Sequence, residues 1–200
     1  MMKRNNFPFS AVLGLNHAKT AILIVLVNPR AGGLLISGPR GIGKSTLMRS
    51  TQELIERPWR DIPVSVTEDR LFGTIDTEKA IYSGQKKLYP GIINEADQGV
   101  LYLDDANLLR EDLLDFILNI AEVGAYQLER DGLSLRCDTS FTVIAAINPE
   151  SGMLSGACLD QFGLFVNVDN IHDENTRVEI LKRTISFEKD CASSVSYTHL

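Results

Sequence analysis

The sequence is poor in the residues that would mark several common protein classes. Its three cysteines, Cys137, Cys158 and Cys191, are odd in number, widely spaced and include no C-x-x-C pair. Such spacing suggests neither a disulfide framework nor a zinc site, and the expectation is three reduced thiols in a cytoplasmic protein. His17, His172 and His199 are scattered likewise and share no metal-ligand spacing. Positive charge is in deficit: 20 Lys and Arg against 26 Asp and Glu leave a formal charge of −6. Proteins that track a phosphate backbone carry a basic excess, so nucleic acid is not an expected partner. Long apolar runs are missing too. The most membrane-like stretch, residues 21–27, is far shorter than the roughly 20 residues a spanning helix needs. No small-residue cleavage pattern follows it, so it reads as a buried helix rather than a membrane span or a signal sequence. With 200 residues, 44% of them hydrophobic, the chain has enough material for one globular domain with a real core.

What the sequence does contain is organised around one stretch. The apolar Leu34, Leu35 and Ile36 lead into Gly38, Pro39, Arg40, Gly41, Ile42, Gly43, Lys44 and Ser45, and then into Thr46, Leu47 and Met48. Strand, glycine-rich turn and helix start, in that order, make a phosphate-binding loop. Glycines let backbone N–H groups curl around phosphates, the lysine reaches the β and γ oxygens, and the hydroxyl that follows holds Mg²⁺. A turn needed only for chain reversal would leave Lys44 and Ser45 unexplained. Residues Gly38 to Thr46 are therefore the candidate nucleotide site, with ATP and Mg²⁺ as ligands.

A second landmark lies some sixty residues on. Residues 99–103 are a buried-type strand, and it ends in the adjacent carboxylates Asp104 and Asp105. Aspartates are common in turns after strands, but after a phosphate loop this pattern has a specific meaning. Asp104 would help to hold Mg²⁺ with Ser45, and Asp105 would orient or deprotonate the attacking water. A third polar residue, Asn148, ends the apolar run 141–147 and is followed by Pro149. It is a candidate γ-phosphate sensor, in competition with its plainer role as a turn starter.

The remaining chain reads in order as follows. Asn16 is expected to cap a helix through about Val27, broken by Asn28 and Pro29. The helix after the phosphate loop should run to about Ile55 or Glu56, with Leu47, Leu54 and Ile55 on its buried side. Residues 62–66 read as a strand weakened by Pro63, and 77–85 as a helix carried on the core. Residues 108–121 place Leu109, Leu113, Phe116, Ile117 and Ile120 at helical spacing. Residues 124–136 alternate about an Arg-Asp-Gly turn, a hairpin signal. A short strand over 165–168 and a helix from Asp173 follow, with Arg177, Lys182 and Arg183 expected in solvent. From Cys191 on periodicity is lost, so residues 1–190 are taken as the nucleotide-binding core and 191–200 as a disordered or non-native tail.

Several of these motifs recur together in one family. Phe-Pro-Phe-Ser at 7–10, the phosphate loop, Ser-Val-Thr-Glu-Asp-Arg at 65–70, Pro90-Gly91, Leu-Tyr-Leu-Asp-Asp-Ala-Asn-Leu-Leu at 101–109, Glu-Arg-Asp-Gly-Leu-Ser at 129–134, Asn-Pro-Glu at 148–150 and Asp-Gln-Phe-Gly-Leu at 160–164 are similar, in this order, to the ATPase subunit of magnesium chelatase. The resemblance covers residues 7–187. It implies an α/β, three-layer P-loop NTPase of the AAA+ type, with a mostly parallel central sheet flanked by helices, a helix insertion over 67–90 and a β-hairpin insertion over 126–136. It implies a ring-forming ATPase, often hexameric, that partners a second AAA+-like subunit with an integrin-like domain. Together the two drive a large catalytic subunit that inserts Mg²⁺ into protoporphyrin IX; related cobalt chelatases use the same kind of motor. Residues Val12, Leu13 and Gly14 would lie against adenine. No membrane or nucleic-acid partner is implied. Three departures stand out: Asp105 where the family has glutamate, Gln161 where it has an arginine that reaches the neighbouring subunit's site, and no helical lid after the core.

Overall fold

Strands buried at every position fit only inside a sheet covered on both faces, and the sequence has three runs of that kind, apolar but for Ser37 and Thr142. The computed structural model describes residues 6–75, 88–130 and 133–189. In chain order, α1 (Asn16–Val27) precedes β1 (Leu34–Ser37), the phosphate loop and α2 (Lys44–Thr51). Next come β2 (Trp59–Ile62), α3 (Glu68–Phe72), β3 (Gly73–Ile75), β4 (Leu88–Pro90) and α4 (Ile92–Glu95). β5 (Val100–Leu103) and α5 (Glu111–Val123) lead to the hairpin of β6 (Ala125–Arg130) and β7 (Leu133–Asp138). The last elements are β8 (Thr142–Ile147), α6 (Gly156–Asp160), β9 (Leu164–Asn167) and α7 (Glu174–Lys189).

The main sheet has the order β2-β5-β8-β1-β9, and every neighbouring pair in it is parallel. β1, β5 and β8 are buried at all positions. Because successive strand residues point to opposite faces, each strand feeds two cores. Leu35, Leu101, Leu103, Val143 and Ala145 join Leu71, Ile93 and Ile117 of α3, α4 and α5 on one side. Leu34, Ile36, Val100, Tyr102 and Ile144 join Ile22, Leu47 and Met48 of α1 and α2 on the other. The three-layer α/β arrangement expected from the sequence is the one observed. β3 pairs with β4, and β6 with β7, as separate antiparallel ribbons. The helix expected over 77–85, the Asp131-Gly132 turn and the tail 191–200 lie outside the described residues.

Element ends differ from the sequence reading for identifiable reasons. Asn16 is the first helical residue rather than the cap; Leu15, at φ 52°, precedes the helix, and no side chain caps it. The second strand is Trp59–Ile62 and not 62–66, because Pro63 has no N–H to continue the ladder. α2 stops at Thr51 and tightens into a 3₁₀ turn, Gln52–Leu54. The hydroxyls of Ser50 and Thr51 both donate to the Leu47 carbonyl, which competes with helix extension. Met48 therefore takes the core place expected of Leu54, which is 47% exposed. Phe116 likewise lies at the surface, edge-on to Phe72 at 5.6 Å between ring centroids.

Asp173 caps α7: its Oδ2 accepts from the Thr176 amide at 2.7 Å and from the Thr176 hydroxyl. The hydroxyl bond first, and then the backbone bonds, hold this carboxyl below the usual aspartate range. A depressed folded-state value contributes stability that is complete above the unfolded value and lost as pH falls through the folded one. Asp173→Ala is therefore expected to lower the thermal midpoint at neutral pH, with the gap to the parent protein closing below about pH 4. Melting curves across that range check this; a gap unchanged under strong acid would refute the charge-based account.

Candidate active site

The strand order places β8 between β1 and β5, so the segments that leave their carboxyl ends meet along one edge of the sheet. The phosphate loop leaves β1, Asp104 and Asp105 leave β5, and Asn148 leaves β8. Within the loop, Gly41 and Gly43 have φ of 83° and 93°, where a side chain would be strained. At Gly38 the constraint is proximity: an added Cβ would lie 2.4 Å from the Val168 carbonyl oxygen.

Lys44 opens α2 and is 8% exposed. Its Nζ donates to the carbonyls of Gly38 and, at 2.8 Å, of Pro39. Burial pulls its pKa below the usual lysine value, while the carboxylates of Asp105 and Asp104 oppose that shift. The Ser45 hydroxyl donates to Asp104 Oδ2 at 2.9 Å across 59 residues of sequence. Arg40 Nη2 lies 3.9 Å from Asp105 Oδ2. Asp105 turns the chain at φ 50°. Lys44, Ser45, Thr46, Asp104, Asp105 and Arg40 line a cavity of about 280 Å³.

The donor set fits Mg²⁺. Ser45 and Asp104 already meet oxygen to oxygen, and among the described residues no three His, Cys, Asp or Glu side chains converge to cage a metal. Mg²⁺ prefers this arrangement, in which a site supplies one carboxylate and a hydroxyl while phosphates and water complete the shell.

Asn148 is 2% exposed, but its side chain is engaged locally. Oδ1 accepts from the Glu150 amide at 3.2 Å, and Nδ2 donates to the Ser151 hydroxyl at 3.2 Å. The turn-starting role is thus present, at the strand tip where a sensor would also stand. Asn107, quoted above only as part of a motif, ties the two loops together: its Nδ2 donates to the carbonyls of Asn148 at 3.2 Å and Gly152 at 3.0 Å. Tyr102, two residues before Asp104, has its pKa pushed up by burial and then by Asp104. Gln161 ends α6, with Nε2 3.4 Å from the Ala157 carbonyl, beside Asp115, Asn119 and Glu122.

A second cavity, of about 390 Å³, shares Gly41, Gly43 and Thr46 with the first and is closed by Val12, Leu13 and Ile171. It also takes Arg177 and Ile180 from α7; Arg177 is exposed, as expected, at the rim of this cavity. Arg183 is not free: Nε pairs with Glu179 at 2.9 Å and Nη1 donates to the Ala11 carbonyl at 3.3 Å. Lys19 donates to the next carbonyl, that of Val12, and lies 5.4 Å from the Phe9 ring centroid. Two cations thus hold the loop that walls the cavity. Sequence reasoning missed them because a lone lysine or arginine on a helix carries no pattern. Lys19→Met is expected to weaken ATP binding about tenfold while leaving inorganic tripolyphosphate binding unchanged, since the phosphate loop is untouched. Calorimetric titration of both ligands decides this; equal losses would show that the loop does not serve the base end of the site.

This geometry agrees with comparisons to known proteins. The AAA domain (dynein-related subfamily) profile matches residues 33–161. The magnesium-chelatase 38 kDa subunit of Cereibacter sphaeroides is 36% identical over 217 residues, covering 92% of this chain and 65% of that protein. The magnesium-chelatase subunit ChlI of Cyanophora paradoxa is 33% identical over 231 residues, covering 94% and 67%. A chain in the complex between subunits BchI and BchD of magnesium chelatase, based on single-particle cryo-EM, matches with a TM-score of 0.78 and 34% identity, over 98% of this chain and 71% of that one. The chain spans about two thirds of the length of these two relatives, and 30% of another that it matches. Among the described residues no helix is long and apolar enough to cross a membrane. With the phosphate loop, the acidic strand and the sheet order in place, the chain belongs to the AAA+ proteins and, within them, to the magnesium-chelatase subunit I family.

Proposed function

We propose that this chain is the ATP-hydrolysing motor subunit of a cytoplasmic metal-chelatase complex, coupling ATP turnover to insertion of Mg²⁺ into protoporphyrin IX by a separate catalytic subunit. The observation that carries this reading is the 2.9 Å contact between Ser45 and Asp104, beside the buried ammonium of Lys44. It joins the two halves of a phosphoryl-transfer site from distant parts of the sequence. Lys44 and the backbone amides of residues 40–46 bind the phosphates, and Ser45 and Asp104 hold Mg²⁺. When bound, Mg²⁺ would supply neutralisation of charge on the phosphate oxygens. Asp105 positions the attacking water and accepts its proton, and Asn148 senses the γ-phosphate by giving up its bonds to the Pro149–Ser151 turn. The partners are other copies in a ring, a second AAA+-like subunit with an integrin-like domain, and the large chelatase subunit. The solved relative, a complex of BchI with BchD, supports the second of these.

Lys44→Ala is expected to abolish ATP binding, measured by calorimetry with a melting curve to show that the fold persists. Unchanged affinity would remove this site from consideration. A second reading keeps the nucleotide but not the rate: a nucleotide-gated scaffold that binds ATP and barely hydrolyses it. Gln161 favours it, because a neutral amide cannot neutralise charge on a transferring phosphoryl group, and an arginine finger is worth about 10³–10⁵ in rate. Asp105 adds to it, being one methylene shorter than glutamate. The acids Asp115 and Glu122 beside Gln161 would accommodate a guanidinium there. Gln161→Arg should therefore raise turnover by at least about tenfold, and more steeply as protein concentration rises; a flat response would count against the scaffold reading. A third reading changes the client to that of a MoxR-like ATPase or a cobalt chelatase, and co-purification with a porphyrin-binding large subunit separates it from the first.

A further inference from the structure

At the tip of β8 the sheet stops supporting the chain. The Ile147 carbonyl still accepts from the Gly38 amide, at 3.2 Å, but Asn148 and the 3₁₀ turn after it, Pro149–Ser151, lie beyond the ladder. That turn is lightly bonded. The Ser151 amide donates to the Asn148 carbonyl at 3.0 Å, and the Gly152 amide to the Pro149 carbonyl at 3.3 Å. The Asn148 side chain adds its bonds to Glu150 and Ser151. A sensor that turns its amide toward a γ-phosphate gives those side-chain bonds up, and the turn then needs another support to stay where it is.

Asn107 provides it. Its Nδ2 donates to the carbonyls of Asn148, at 3.2 Å, and Gly152, at 3.0 Å, one at each end of the turn. Two carbonyl oxygens facing one end of an amide identify that end as the NH₂. Oδ1 is buried and has no partner among the described residues, so the bonding of this side chain rests on Nδ2. Asn107 is itself tied to the acid loop. It lies in the 3₁₀ turn Ala106–Leu108, which Asp105 opens at φ 50°, and the Leu108 amide donates to the Asp105 carbonyl at 2.8 Å. We propose that Asn107 is a positioning residue acting through Asn148: its amide clamps both ends of the 149–151 turn, so that Asn148 meets the γ-phosphate at a fixed distance from Asp105. Because the clamp grips backbone carbonyls, it survives release of the Asn148 side chain. The inference rests on the reading of Asn148 as the γ-phosphate sensor.

Asn107→Leu removes both bonds while filling the space, and Asn107→Ala removes them without adding bulk; melting curves show which variant keeps the fold, and that one is used. Calorimetry then measures the affinities for ADP and for a non-hydrolysable ATP analogue, both with Mg²⁺, in the parent, the Asn107 variant, Asn148→Ala and the double variant. The readout is the ratio of the two affinities, since a general loosening of the site lowers both and leaves the ratio alone. The Asn107 variant is expected to bind ADP within about twofold of the parent and the analogue at least about fivefold more weakly, as the loss of two hydrogen bonds implies. The double variant should lose no more of the ratio than Asn148→Ala does, because one residue acts through the other. Equal losses for both nucleotides, additive losses in the double variant, or a ratio that only Asn148→Ala lowers would each overturn the role of Asn107 alone. A ratio that Asn148→Ala leaves unchanged would overturn the sensor reading and this inference with it.

Discussion

The constraint on which the rest depends is the ammonium of Lys44. A cation that is 8% exposed must be compensated where it lies, or burial would neutralise it. In this fold the compensation comes from two directions. The loop bends back so that its own carbonyls, at Gly38 and Pro39, accept from Nζ. Asp104 and Asp105 supply negative charge from the neighbouring loop. The first requirement explains the glycines, since only backbone free of side chains can wrap this tightly at Gly41 and Gly43. The second explains the sheet: β5 must lie close to β1 and parallel to it, with one strand between, so that both open at the same edge.

Much of this architecture was legible in the sequence because parallel strands buried on both faces must be written as unbroken apolar runs. The apolar runs 34–36, 99–103 and 141–147 match Leu34–Ser37, Val100–Leu103 and Thr142–Ile147 to within one residue. Boundaries failed where one residue outweighed the periodicity. Pro63 ended a strand that hydropathy would have continued, and Ser50 and Thr51 bonded back to Leu47 and closed a helix that the leucine spacing would have prolonged. Phe116 was read as core from its spacing, but its neighbour is Phe72 at the surface.

The site was legible in part, along the same line. Lys44, Ser45, Asp104 and Asp105 belong to motifs whose chemistry fixes their spacing, and the structure brings all four to one cavity. Lys19, Asn107 and Arg183 belong to no motif. Arg183 meets the Ala11 carbonyl across 172 residues, a relation that only the folded chain creates. Asn148 stands between these cases: its place at the strand tip followed from the pattern, whereas the engagement of its amide with Glu150 and Ser151 did not.

Charge balance at the cavity bears on how such a protein works. The chain offers two cations beside the phosphates, Lys44 and Arg40, against two carboxylates, Asp104 and Asp105. Arg40 is partly engaged already, 3.9 Å from Asp105 and largely open to solvent, where an ion pair counts for little. The side chains of one copy are therefore close to neutral at the place where a transition state accumulates negative charge. Mg²⁺ held by Ser45 and Asp104 would offset part of that charge, and the remainder would have to come from a cation that the described residues do not place there. The acids around Gln161 form a surface suited to a basic group, but the residue among them is neutral. On the proposed reading, binding and catalysis would be separable: the loop would hold a nucleotide, while the rate would depend on a positive charge delivered by assembly. A motor of the proposed kind would link its chemical step to the company it keeps, and a neutral residue at position 161 would transfer that control to whichever neighbour brings the charge.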